Sequence, residues 1–129
     1  MSFDAERAAI EGRFNTQWGS ATAIAWDNVP FTPPATAWVR LSILPGESFN
    51  AALGATAVRH PGVIVVQIFT PEDTGTAQAR TLAQTAADVF NNARFSGIRC
   101  RAAGIFRVGT FDGWYQMNVN IPFERDEFT

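Results

Sequence analysis

The most apolar run of the chain is Val63-Ile64-Val65-Val66-Gln67-Ile68-Phe69, and five of its seven residues are β-branched. Pro61-Gly62 precedes it and Pro71 follows it, which predicts a central strand buried, or nearly so, on both faces. After the polar turn Thr70–Gly75, Ala79, Leu82, Ala83, Ala86 and Phe90 recur at spacings of three and four, with Arg80, Gln84 and Asp88 on the opposite stripe. This period predicts a helix ending at Asn91-Asn92, capped by Asp73 or Thr74, with Glu72 and Asp73 at the positive end of its dipole. A first helix is predicted over residues 3–18. Phe3, Ile10, Phe14 and Trp18 share one stripe, and Glu6, Arg7, Glu11 and Arg13 mark the other. Gly12 weakens it by about 1 kcal/mol.

The remaining segments alternate. Ile24–Trp26 reads as a short edge strand, and Asp27–Pro34, with three prolines in eight residues, as a stiff extended loop. In Ala37–Leu44, Val39, Leu41 and Ile43 face one way and Trp38, Arg40 and Ser42 the other. Glu47–Ala55 is loop-like. Ala57–His60 is a strand leading through Pro61-Gly62 to the central one, so that 37–44 and 56–60 form a hairpin with a long tip. In Ile98–Val108, Ile98, Cys100, Ala102, Phe106 and Val108 share the core face, and Arg99, Arg101 and Arg107 the other. A four-residue turn, Thr110–Gly113, then leads into Trp114–Ile121, whose core face carries Tyr115, Met117, Val119 and Ile121. That turn sets Arg107 opposite Gln116 and Ile105 opposite Asn118. The tail Glu124–Thr129 is polar, acidic and expected to fray. The order predicts an α+β fold, a mainly antiparallel twisted sheet with two helices packed on one face, in a single domain over residues 1–129.

Helices on one side leave the other sheet face open. It is expected to hold Trp38, Arg40, Val63, Val65, Gln67, Arg99, Arg101, Arg107, Gln116 and Asn118, with Phe69 and Asn120 beside them. Large apolar groups mixed with arginines and amides suit a protein–protein interface. The alternative is that the first helix or the long loop covers the apolar part.

Composition adds one unusual detail. All ten basic residues are arginine. Arginine forks onto carboxylates and aromatic faces, which favours interfaces, although a coding bias gives the same composition. A net charge of −2 and the lack of an aromatic stacking motif beside the arginines argue against direct, sequence-specific nucleic-acid binding. The single cysteine, Cys100, excludes an intrachain disulfide. No apolar run approaches the ~20 residues that span a bilayer, and Met1–Arg7 has no secretory character, so a soluble cytosolic protein without membrane contact is expected.

Catalytic patterns are sparse. One histidine rules out most multi-histidine metal sites, and no metal or other cofactor is expected. A Cys100–His60 pair is conceivable chemistry, but Cys100 alternates onto the core face and reads as a buried, inert thiol. Pro45-Gly46-Glu47-Ser48 is not a nucleophile elbow, and no phosphate loop or dinucleotide fingerprint occurs. Asp73-Thr74-Gly75 matches the active-site triplet of dimeric retroviral-type aspartic proteases, whose chemistry needs two carboxylates sharing a proton. The match stops at three residues, since Thr76–Phe90 is helical, and helix capping accounts for the triplet. An aspartic-type hydrolase using Asp73 stands as a remote alternative.

Three stretches carry a resemblance. They are Glu6-Arg7-Ala8-Ala9-Ile10-Glu11-Gly12-Arg13-Phe14 with Trp18; Pro61–Phe69 running into Gly75–Phe90; and the ending Asn118-Val119-Asn120-Ile121-Pro122-Phe123. In pattern and layout, over nearly the whole chain, the sequence resembles the phage tail terminator-like family of tail-completion proteins (minor tail protein U-like). The resemblance implies a structural role without catalysis in a phage or prophage tail. It implies a ring, commonly a homohexamer and in some cases formed only on the tube, that ends tube polymerisation and prepares head joining. Its implied partners are further copies of itself, the tail tube protein and the head–tail connector protein. Its implied locations are the host cytoplasm during assembly and then the virion tail. The mixed sheet face would then meet the neighbouring subunit. Asp27 and Phe31 in one loop, and Glu47 and Phe49 in another, are candidate contacts to tube or connector. The alternative is a monomeric α+β adaptor module of prophage origin.

Overall fold

A computed structural model describes residues 1–51 and 56–128; Leu53 and the rest of the predicted loop tip at 52–55 lie outside them. Helix α1 spans Phe3–Trp18. The Ser2 hydroxyl accepts from the Ala5 amide at 3.0 Å to start it, and Gly19, at φ 60°, ends it. Its buried residues are Glu6, Ile10, Phe14 and Trp18. The predicted stripe therefore begins with a carboxylate, and Phe3 is exposed instead.

The sheet contains β1 (Ala23–Trp26), β2 (Trp38–Pro45), β3 (Phe49–Asn50), β4 (Ala57–Pro71), β5 (Arg94–Phe95), β6 (Ile98–Cys100), β7 (Gly104–Phe111) and β8 (Trp114–Phe128). Its order is β1-β2-β4-β8-β6-β5, with β3 added to β4 and β7 to β8. Every pairing is antiparallel except β1 on β2. The fold is α+β, as the element order predicts.

Pro61-Gly62 does not divide β4, which runs unbroken for 15 residues. Pro61 lies just beyond the end of β2, whose last pair is Pro45 with Gly62, so its missing N–H costs no bond on that side. Gly62 is required by a close approach, because a Cβ there would meet the Phe123 ring at 2.6 Å. β2 pairs with residues 62–69 and not with 56–60, so the expected 37–44/56–60 hairpin does not form.

The predicted strand Ile98–Val108 is two strands. β6 pairs with residues 123–125 of β8 and β7 with residues 114–120. The handover lies beside Pro122, which has no amide to donate; its carbonyl accepts from the Arg101 amide at 2.8 Å. The β7–β8 turn has two residues, not four. Asp112 and Gly113 both have positive φ, and Phe111 pairs with Trp114. A bulge at Val108, with Gly109 at φ 115°, shifts the register again. Arg107 therefore pairs with Met117 and Ile105 with Val119, one position from expectation. Arg107 lies on the helix side, and Phe106 is 53% and Val108 51% exposed rather than in the core.

Helix α2 (Ala77–Phe90) buries Ala79, Ala83, Ala86, Ala87, Val89 and Phe90. Its N-cap is Thr76, with no side-chain capping bond. Asp73 sits in the turn at φ 66°, and the Thr74 hydroxyl donates to the Pro71 carbonyl. Both helices pack on the face of Val39, Leu41, Ile64, Val66, Ile68, Met117, Val119 and Ile121, forming one core. The tail is not frayed: β8 continues to Phe128, paired with residues 57–61 of β4.

Candidate interaction surfaces

Cross-strand register arranges the open face in rows. Arg40, Gln67, Asn118 and Phe106 form one; Ser42, Val65 and Asn120 the next; Leu44, Val63 and Pro122 a third. Gln116 continues the set beside Phe69 and donates to the Asn118 side-chain oxygen at 2.9 Å. Arg40, Val63, Val65, Gln67, Gln116 and Asn118 are thus brought together, half-buried, on one surface.

Trp38 is on that face but only 5% exposed. It stacks on Phe69 at 4.1 Å, meets Trp114 edge-on, and is capped by Phe31 at 5.1 Å. The proline-rich loop therefore covers the large aromatic part of the face. Phe31 is spent on this contact, while Asp27, Glu47 and Phe49 are exposed. Asp27 follows β1 and lines a cleft with Pro45, the residue that leads into Gly46 and Glu47. Asp27 and Glu47 thus flank one end of β2 and Phe31 the other.

The arginines divide. Arg99 faces Glu124 across the β6–β8 pair and reaches Asp126 at 3.3 Å; Arg59 reaches Asp126 at 2.8 Å. Arg101 is largely exposed, 3.7 Å from Glu124. The hydrogen bond from Arg59, ahead of its charge and that of Arg99, holds the Asp126 carboxyl below its ordinary range. Arg107 is on the opposite face, its guanidinium over the Tyr115 ring.

The alternation reading missed Arg125, which is 1% exposed. Its Nε donates to Glu6 Oε1 at 2.7 Å and its Nη1 to the Met1 carbonyl at 2.7 Å, while the Phe3 ring lies 4.8 Å from the guanidinium. The signal was present. Continuing the period of Tyr115, Met117, Val119, Ile121 and Phe123 puts Arg125 on the core face, and Glu6 lies one turn before Ile10.

Ser48 Oγ lies 2.6 Å from His60 Nδ1, and His60 Nε2 lies 3.7 Å from Glu127 Oε1. The second separation is too long for a hydrogen bond, and Glu127 already accepts from Arg125, so the three do not make a relay. The α1–β2 cleft, about 380 Å³, is lined by Phe3, Leu41, Ile43 and Pro45 with Glu6, Arg7, Glu11 and Asp27 on its rim. Cys100 is buried, and burial pushes its thiol up to about 11. Among the described residues no group of three or more His, Cys, Asp or Glu could hold a metal ion, and no helix is long and apolar enough to cross a membrane.

The family comparison bears on what these surfaces serve. A family model described as phage tail terminator protein matches residues 6–123. The chain belongs to the phage tail terminator family, which supports a role in tail completion, in contact with other tail proteins. No curated protein matches. A solved structure whose name states no function shares the fold at a TM-score of 0.73 and 26% identity, over 100% of this chain and 98% of that one.

Proposed function

We propose that the protein closes into a ring, with six copies as the expected number, on the end of the tail tube, where it ends polymerisation and readies the tube for head joining. Assembly takes place in the host cytoplasm and the ring stays in the virion tail. The role is structural and non-catalytic. The observation that carries this reading is the β7–β8 hairpin, where Ile105, Phe106, Val108 and Phe111 are 39% to 82% exposed on a chain of the tail terminator family. Apolar side chains left bare on an edge strand, Ile105 toward the helix side and Phe106 toward the open side, fit a partner surface. The open-face group Arg40, Val63, Val65, Gln67, Gln116 and Asn118 supplies further contact area between subunits. Exposed Asp27, Glu47 and Phe49 are the candidate contacts to tube or connector.

Native mass spectrometry across a concentration series, with and without the purified tube protein, tests the reading. A six-fold species, alone or only with tube, is expected. A monomer under both conditions overturns it in favour of an adaptor module.

A further inference from the structure

Two edge strands of the sheet, β1 and β7, have complementary character. β1 pairs only with β2, and β7 only with β8. They end the same band of strands: Ile24, Val39, Ile68, Met117 and Arg107 form one continuous cross-strand row. Following the strand senses across that row, β1 runs with β2, against β4, with β8 and against β7. The two edges are therefore antiparallel to each other, the sense in which they can pair. Their usable lengths agree as well. β1 has four residues, and β7 is regular over four, Gly104–Arg107, before its bulge. In β7 the edge protections, the charge of Arg107 and the bulge at Val108, lie at one end of this regular half, while Gly104–Phe106 holds neither proline nor charge and exposes Ile105 and Phe106.

Charge distinguishes the edges on the helix side. At β7, Arg80 of α2 and Arg107 share a small pocket with Ile105, and neither has a carboxylate partner among the described residues. At β1, Asp27 is exposed and has no ion-pair partner among the described residues, whereas Glu11 on the same cleft is already paired with Arg7 at 3.1 Å. β7 thus carries a basic edge and β1, through Asp27, an acidic one, and opposite charges on opposite sides of one subunit favour head-to-tail association of identical copies.

We infer that the regular half of β7 in one copy pairs antiparallel with β1 of the next copy, continuing the sheet from subunit to subunit. This rests on the ring reading above and adds the surface that makes the ring. The junction buries Ile105 and Phe106 and brings the Arg80–Arg107 pocket toward the acidic edge. Matching of faces sets Phe106 opposite exposed Ala23 or fully buried Ala25, the two β1 residues on its side of the sheet.

Disulfide trapping tests the inference on the full chain with the tube protein present. Phe106→Cys is combined with Ala23→Cys or with Ala25→Cys and oxidised with glutathione disulfide; buried Cys100 does not compete. One combination is expected to give a covalent ladder of oligomers, since antiparallel neighbours lie within disulfide reach. Separately, Arg107→Glu is expected to weaken association about tenfold or more, with recovery on adding Asp27→Arg. A wild-type ring that gives no ladder in either register, and that tolerates Arg107→Glu, overturns the edge pairing while leaving the ring intact. No wild-type oligomer with or without tube overturns the ring reading and the edge pairing together.

Discussion

Within four residues, the end of β8 carries charges in two opposite settings. Arg125 points into the helix-covered side, 1% exposed, and is held by Glu6, the Met1 carbonyl and Glu127. Glu124 and Asp126, its immediate neighbours, point to the open side and share Arg59 and Arg99, with Arg101 beside Glu124, in a partly solvent-accessible ladder. The same strand thus uses charge once as a rivet between chain ends and once as a surface network. The difference between the two lies in desolvation. A buried ion left without its partner is far costlier than an exposed one, while an intact exposed pair contributes little.

The sharpest break in this comparison is Arg125→Ala. It strands Glu6 in a dry site and frees the start of α1, and is expected to cost about 3–5 kcal/mol, read as a lowered urea midpoint. Replacing both partners together, Glu6→Leu with Arg125→Met, is expected to recover most of that loss, because no unpaired charge then remains. Should the double variant be as unstable as the single one, the pair would be contributing more than mutual neutralisation. The Arg125 Nη2 is buried with no hydrogen-bond partner among the described residues, so within them the rivet is not fully satisfied.

Trp38 carries the comparison from charges to whole faces. It lies on the open side, yet it is buried among Phe31, Phe69 and Trp114 as deeply as many core residues. Truncation of a buried aromatic typically costs about 3–5 kcal/mol. Here the indole N–H is buried with no hydrogen-bond partner among the described residues, so removing it returns part of that cost. Trp38→Ala is therefore expected to cost about 2–3 kcal/mol in the same urea experiment, and Trp38→Phe much less. An equal loss for both would mean that the N–H has a partner.

Periodicity made the two helices, the central strand and the core faces of β2 and β8 legible, because burial on one side imposes a spacing that the sequence records. It failed where the chain used backbone geometry rather than side-chain spacing. Pro61-Gly62 looks like a breaker but lies where β2 has ended and a ring crosses the strand. The Val108 bulge and the two-residue turn moved Arg107 to the helix side, because a one-residue shift of register exchanges the faces. Arg125 was lost for a different reason: a polar tail reads as solvent-facing until a distant carboxylate, Glu6, is known to meet it. On the open face, alternation grouped Arg40, Gln67, Gln116 and Asn118 as the register does. The two sheet edges were invisible, since edge status follows from topology and not from local pattern.

Asp126 gives the smallest and most specific effect. Its carboxyl is held below the ordinary range, first by the Arg59 hydrogen bond, so in the folded chain it stays ionised to lower pH than in the unfolded chain. A lowered folded value means a contribution that is complete above the unfolded value and is lost as pH falls through the folded one. Below about pH 4, where free aspartate begins to protonate, the unfolded state takes up protons first and stability declines. Asp126→Asn is expected to cost at most about 1 kcal/mol near neutrality and to flatten the fall of Tm between neutral pH and the acid side of that range. High salt should shrink the wild-type difference, since the ladder is open to solvent, but leave the Arg125→Ala penalty nearly unchanged. If salt weakened both alike, the two settings would share one degree of desolvation and the contrast between the faces of β8 would fail.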